Sequence, residues 1–225
     1  MDIRRLFRCM GRGTWMLIGV GATLLYLTAA DFVISIKPAV SFEDMLDGKE
    51  VKVGSRVAGE VVFAMDYFAS ESTYTRYEDG SRSGSRKSGN YYLIPTAEGY
   101  IALKSRQADV SALDALSEET FEYMNNGPEP STVIHMQGKV ERMEGTLAGY
   151  YEEYLEELGY SEAEIDAFGE PLVIRYLNFI AVQSMFAAAL LILFLDIFFL
   201  QRRYRRAGED RGFKRAEDLP DPRSY

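Results

Sequence analysis

Two long apolar runs organise the chain. Thr14 to Ile36 forms one, Tyr176 to Leu200 the other, and residues 37–175 between them are predominantly polar. A hydrocarbon layer of about 30 Å requires roughly 20 apolar residues in a helix rising about 1.5 Å per residue. Both runs meet that length, so the pattern predicts two transmembrane helices flanking a folded domain. The divisions are residues 1–13 as a terminal segment, 14–36 and 176–200 as spans, 37–175 as the domain and 201–225 as a tail.

Within the domain the period changes repeatedly. Residues 50–65 alternate in the manner of a strand, with Val51, Val53, Ser55 and Val57 on one face and Lys52 and Arg56 on the other, and Gly59 marks a bulge or bend. Tyr67 to Tyr77 continues as strand. Glu78 to Gly89, rich in Gly and Ser, predicts a flexible tip. Asn90 to Pro95 and Gly99 to Arg106 read as a hairpin around Thr96 to Glu98. Helical spacing follows over Val110 to Asn126, with Ser117 as a candidate N-cap of a second turn, and Ser131 to Met143 returns to strand.

From Glu144 to Leu158 the residues Leu147, Tyr150, Tyr151, Tyr154, Leu155 and Leu158 share a helical face, and Gly159 is the expected C-terminal stop. Ser161 and Glu164 form a capping box for a short helix toward Phe168. Pro171 to Arg175 leads into the second span. The sum predicts an α+β fold of five or six antiparallel strands with two or three helices, and a small barrel like those that bind oligonucleotides and oligosaccharides is compatible with it. Since both ends of such a domain join spans, Lys37 and Arg175 should lie on one side of it.

Charge adds an orientation. The overall formal charge is −9, but residues before Thr14 carry +3, those after Leu200 carry +3, and residues 37–175 carry −13. Arg4, Arg5, Arg8 and Arg12 precede the first run; Arg202, Arg203, Arg205 and Arg206 follow the second. Basic residues beside a span are retained in the cytoplasm. The expected location is therefore the cell membrane as a multi-pass protein, with both termini cytoplasmic and residues 37–175 extracytoplasmic. A competing reading makes the first run a cleaved signal peptide ending at Leu27-Thr28-Ala29-Ala30, against which apolar character resumes at Phe32 to Ile36. The single cysteine, Cys9, lies outside the domain, which therefore contains no disulfide.

Candidate chemistry is sparse. His135 is the only histidine and alternation places it with Gln137 and Lys139 on a solvated strand face. A histidine-based zinc site or Ser-His-Asp set would depend on it alone, and no Ser-x-x-Lys occurs in the domain. Glu152, Glu153, Glu156 and Glu157 crowd one helix surface and raise a divalent-cation reading, without the loop pattern of a calcium site. Arg82, Arg86 and Lys87 form a basic island at the expected tip. No catalytic, cofactor-binding or metal-ligating residue is assigned, and no cofactor or nucleic acid is expected.

Inside the spans, Asp31, Asn178, Gln183 and Asp196 invite suspicion of an ion pathway, and the two aspartates sit near opposite ends where water reaches them. Gly19, Gly21 and Ala22, and Ser184 with Ala187, Ala188 and Ala189, offer small faces for pairing the spans or for a homo-oligomer. Tyr91-Tyr92-Leu93-Ile94-Pro95 and Gly99-Tyr100-Ile101-Ala102-Leu103, together with the span arrangement, resemble uncharacterised two-pass membrane proteins of Gram-positive bacteria with a β-rich extracytoplasmic insert. That resemblance implies no activity. The expected function is a membrane-anchored, non-enzymatic protein whose outer domain binds a membrane or envelope partner or senses an envelope condition. A transporter accessory or small oligomeric channel component is the alternative, and an envelope hydrolase the remaining one.

Overall fold

The computed structural model describes residues 11–77, 81 and 83–217, with side chains described to residue 206. Arg4, Arg5, Arg8, Cys9, Arg82 and the end of the tail lie outside the described residues. The chain divides into two units, residues 36–178 and the pair of terminal helical segments.

The domain is an open, mixed sheet of seven strands: β1 (Ala39–Val40), β2 (Arg56–Glu60), β3 (Tyr67–Thr73), β4 (Arg86–Thr96), β5 (Gly99–Lys104), β6 (His135–Arg142) and β7 (Leu172–Tyr176). Their order is β1-β2-β6-β7-β5-β4-β3. β1 with β2 and β5 with β7 run parallel, and the other neighbours are antiparallel. The expected all-antiparallel sheet or closed barrel is therefore replaced by an open mixed sheet. The cause lies in residues 172–176, expected only as a lead into the second span: they enter the sheet centrally, between β5 and β6.

Both faces of the sheet are covered. Residues 91–94 of β4 read as an unbroken apolar run because Tyr92 and Ile94 face one core while Tyr91 and Leu93 face another. In β5, Ile101 and Leu103 oppose Ala102, and in β7 Ile174 opposes Val173, by the same alternation. The first core is closed by α2 (Phe42–Leu46) and α3 (Val110–Met124), which bury Phe42, Met45, Leu113 and Leu116. The second is closed by α4 (Thr146–Glu157) and α5 (Glu162–Ala167), where Tyr151 and Leu155 are buried.

Several local expectations are met. Gly159, with φ +96°, ends α4 by donating to the Glu156 carbonyl (2.9 Å). At Ser161 the backbone N–H donates to Glu164 at 2.8 Å, the reciprocal half of a capping box. Others change. Ser117 is buried inside one continuous α3 rather than starting a turn. Ser41 instead caps α2, accepting from the Asp44 N–H at 3.0 Å, a helix missed in the acidic stretch 41–47. Gly59 stays in register opposite Met136, without a bulge; the register shifts occur in the β3–β4 pair. Pairing in that hairpin resumes at Arg86 and β3 ends at Thr73, so the stretch between the strands is displaced four residues toward the N-terminus from the expected Glu78 to Gly89. Tyr150 and Leu158, expected on the apolar face of α4, are exposed.

The helical unit has an inverted pattern. Helix α1 (Arg12–Ser35) buries Thr14, Gly21, Thr28 and Ser35, spaced every seven residues, while Met16, Tyr26 and Leu27 point outward. Helix α6 (Phe179–Glu217) buries Phe179, Val182, Ala189 and Asp196 and exposes Ile180, Phe194 and Ile197. A seven-residue seam matches two helices wrapped with a left-handed twist. The Thr28 hydroxyl donates to the Leu24 carbonyl and that of Ser35 to the Phe32 carbonyl, each at 2.7 Å, so these buried hydroxyls are satisfied within their own helix. Gly21 is required by packing: a Cβ there would lie 2.7 Å from Leu193 Cδ2. Phe32 stacks on Phe186 with centroids 3.9 Å apart.

Two stretches, Arg12–Ser35 and Phe179–Arg206, are long and apolar enough to cross a membrane, and only 11% and 17% of their most apolar windows are buried. Small and polar residues inside with large apolar ones outside suits helices surrounded by lipid.

Candidate functional site

The register places one residue from every strand in a single row: Ala39, Arg56, Lys139, Arg175, Lys104, Tyr91 and Ala69. The four in the middle are all cations. They also share a face, because each neighbours along its strand a residue of the first core (Val57, Val140, Ile174, Leu103) and so points to the opposite side. Neighbouring strands are about 4.8 Å apart, so Arg56, Lys139, Arg175 and Lys104 form a stripe on the order of 14 Å long. The α4–α5 layer covers Val173 and Ala102 on this face, whereas Arg175 and Lys104, two residues further along their strands, remain 44% and 23% exposed.

Like charges directly opposite one another on a sheet repel, each such pair costing up to about 1 kcal/mol. Two carboxylates offset this. Glu141 is 2.9 Å from Arg175 Nε and 3.0 Å from Lys139 Nζ, so a single anion serves two cations. Glu71 pairs with Lys104 and accepts from the Ser88 hydroxyl at 2.7 Å. Those two bonds hold the Glu71 carboxyl below its ordinary range, keeping it ionised. Four cations against two carboxylates leave the stripe positive within a domain whose net charge is −13.

Aromatic rings complete the surface. Lys104 Nζ lies 5.7 Å from the Tyr91 ring centroid, and the Arg106 guanidinium 4.5 Å from that of Tyr176. Arg106 also donates to both oxygens of Asp109 (2.6 and 3.0 Å), which raises its own pKa. Two open depressions meet at Arg175. One, about 310 Å³, is lined by Glu71, Ser88, Lys104, Ser105, Arg106 and Tyr176 as well; the other, about 500 Å³, includes Tyr91, Glu141, Arg142 and Leu147. A smaller hollow of about 80 Å³ lies at the opposite end of the β4–β5 hairpin and includes Met45, Lys49 and Phe168.

Gly138 lets this arrangement form. It pairs with Tyr176, and a Cβ on it would sit 2.3 Å from the Arg175 carbonyl oxygen. Only glycine allows β6 to approach β7 this closely beside Arg175.

A family model described as Domain of unknown function (DUF8577) matches residues 10–202. The chain belongs to that family. The DUF8577 match takes in α1, the whole sheet domain and the apolar part of α6, so the family unit is the two helices together with the domain between them. No curated protein and no solved structure matches the chain.

The residues singled out in sequence are scattered over this DUF8577 unit. His135 is exposed and lies 3.2 Å from Glu60. Glu152, Glu153, Glu156 and Glu157 are exposed on α4, and among the described residues no group of three or more His, Cys, Asp or Glu side chains is disposed to hold a metal. Arg86 and Lys87 are exposed at the start of β4. Gln183 donates to the Ser35 carbonyl and hydroxyl, both at 3.3 Å. Asp196, expected near water, is instead 3% exposed, with Oδ2 lacking a hydrogen-bond partner. Gly21 and Ala189 lie buried in the helix pair, whereas Gly19, Ser184, Ala187 and Ala188 are exposed. The cationic stripe itself was not legible as a site: its members are far apart in sequence and only strand order unites them.

Proposed function

We propose that the chain is a membrane-anchored, non-enzymatic protein of the bacterial cell envelope, held by two spans with both tails inside, whose outer domain binds a partner or senses an envelope condition. The observation that carries this reading is the stripe of four adjacent cations on one sheet face. Glu71 and Glu141 offset only part of the repulsion within the stripe, and an anionic partner covering it would offset the rest.

Hydrogen exchange of the full chain in lipid nanodiscs, with and without an extract of the native envelope, tests it. Protection confined to β5, β6 and β7, lost in Lys139→Glu, supports a binding domain. Identical exchange in both conditions contradicts it.

A second reading, a transporter accessory or small channel component, is favoured by Asp196, whose buried carboxyl oxygen has no partner inside an apolar helix pair. Ion flux in proteoliposomes that disappears in Asp196→Asn would support it; equal flux with and without the protein would remove it.

A further inference from the structure

We propose that the cationic stripe seats the phosphate of an anionic phospholipid from the bilayer in which the chain's own helices are embedded. This rests on the membrane-anchored reading and names the ligand of its site.

Covalent geometry is the first support. Arg175 precedes Phe179, the first residue of α6, by four positions, and Lys37 follows Ser35, the last residue of α1, by two. A chain extends at most about 3.6 Å per residue, which holds Arg175 within about 15 Å of the start of α6. Arg56, at one end of the stripe, is held to the chain that leaves α1 by hydrogen bonds. Arg56 Nη1 donates to the Lys37 carbonyl (3.3 Å), and Lys37 Nζ donates to the Gly54 carbonyl (2.9 Å). Arg175 inside the stripe is thus linked to α6 by four residues and Arg56 at its end to α1 through the hydrogen bond to Lys37, and the headgroup layer on each side of a bilayer is itself several ångströms deep.

Charge and shape are the second support. The domain is acidic overall, so the stripe, with four cations against the two carboxylates Glu71 and Glu141, is a local exception to the repulsion an anionic surface exerts on it. The depression of about 310 Å³ that Lys104, Arg106 and Arg175 share, with the Glu71 carboxylate and the Ser88 hydroxyl also on its wall, has room for a headgroup phosphate. A guanidinium and an ammonium suit its oxygens in complementary ways, the first by a paired donor fork and the second as a point charge. Tyr176, beneath Arg106, is a ring type enriched at headgroup depth. A soluble phosphate would fit the same donors. The lipid is the occupant these observations favour, because the stripe is tied to both helices and a bilayer supplies the phosphate at high local concentration.

The test uses the full chain in nanodiscs of phosphatidylcholine containing a fraction of phosphatidylglycerol, with retained lipid read by native mass spectrometry after release into detergent. Phosphatidylglycerol should be retained preferentially. Lys104→Gln combined with Arg175→Gln should weaken that preference by roughly 30-fold, while Lys49→Gln combined with Arg76→Gln, outside the stripe, should leave it unchanged. Near-UV circular dichroism of the tyrosines confirms that each variant is folded. Equal retention of the two lipids overturns the proposal, as does an equal loss in both double variants. Competition by soluble glycerol phosphate at the affinity of the lipid also overturns it, by making the occupant a free anion. If lipid preference fails while the envelope extract still protects β5 to β7, the binding-domain reading stands and only the lipid assignment falls.

Discussion

Alanine at position 138 should separate two strands that the site needs in contact. A Cβ built there lies 2.3 Å from the Arg175 carbonyl oxygen, 2.8 Å from its carbonyl carbon and 2.9 Å from Ile174 Cγ2. Two of these atoms are backbone, so no rotamer change relieves them and β7 must retreat by on the order of 1 Å to restore ordinary contact. Overpacking of this kind costs about 1–3 kcal/mol. Weakening one or two ladder hydrogen bonds adds about 1 kcal/mol each, giving a loss of about 2–5 kcal/mol. For a chain of this size each kcal/mol lowers the melting temperature by about 2–4 °C, so Gly138→Ala should melt about 5–20 °C below the parent. Gly149→Ala supplies the contrast. That glycine lies in α4 with nothing within 4 Å of its would-be Cβ, and alanine there should stabilise by about 0.5–1 kcal/mol through helix propensity. Thermal unfolding of the full chain in detergent, followed by tyrosine near-UV circular dichroism, reads both. If the two substitutions shift the transition equally, the close approach of β6 and β7 is wrong and the stripe loses its geometry.

Other outcomes follow from single contacts. Tyr92→Phe removes a hydroxyl that donates to Asp114 beneath α3, and should cost about 1–3 kcal/mol in the same unfolding assay, because a carboxylate loses its partner. Gly21→Leu should destabilise the helix pair by about 1–3 kcal/mol, read as a lower midpoint in a denaturing-detergent titration, since the glycine already touches Leu193. An unchanged midpoint would mean that the pair does not pack along this seam. The carboxyls of Glu71 and Glu119 are held below their ordinary range, the first chiefly by Lys104 and the second chiefly by Thr132. A lowered folded pKa contributes stability above the unfolded value, near 4.3 for a glutamate, and that contribution is lost as pH falls through the folded value. Melting temperature should therefore drop as pH is lowered from about 5 toward 3, and Glu71→Gln should flatten part of that drop.

The elements most readable in the sequence are those governed by local rules. The two apolar runs, the Tyr91–Leu103 hairpin, the Gly159 stop and the Ser161–Glu164 capping box each follow from neighbours a few residues apart, and each appears in the structure. What failed in the sheet depended on partners distant in sequence. Residues 172–176, apolar but for Arg175, adjoin a longer apolar run, so no local signal separates a central strand from the lead into a helix; the helix begins only at Phe179. Placing that strand parallel to β5 is what turns an antiparallel meander into a mixed sheet and brings Lys104 beside Arg175. Arg56 and Lys139 looked like ordinary polar positions of alternating strands for the same reason. In α1 the buried positions are small or polar and the exposed ones large and apolar, so periodicity alone points to no buried face; the seven-residue seam emerges only against α6.

The account depends most on the chain crossing the membrane twice with both ends inside. Cys9 is the only cysteine, which makes a direct measurement possible. Intact cells are treated with a membrane-impermeant maleimide, comparing the parent chain with a Cys9→Ser, Glu129→Cys variant whose new thiol lies at an exposed position of the domain. A two-pass topology requires that Cys9 react only after the cells are permeabilised and that position 129 react in intact cells. Labelling of Cys9 in intact cells, or protection of position 129 until permeabilisation, would contradict it.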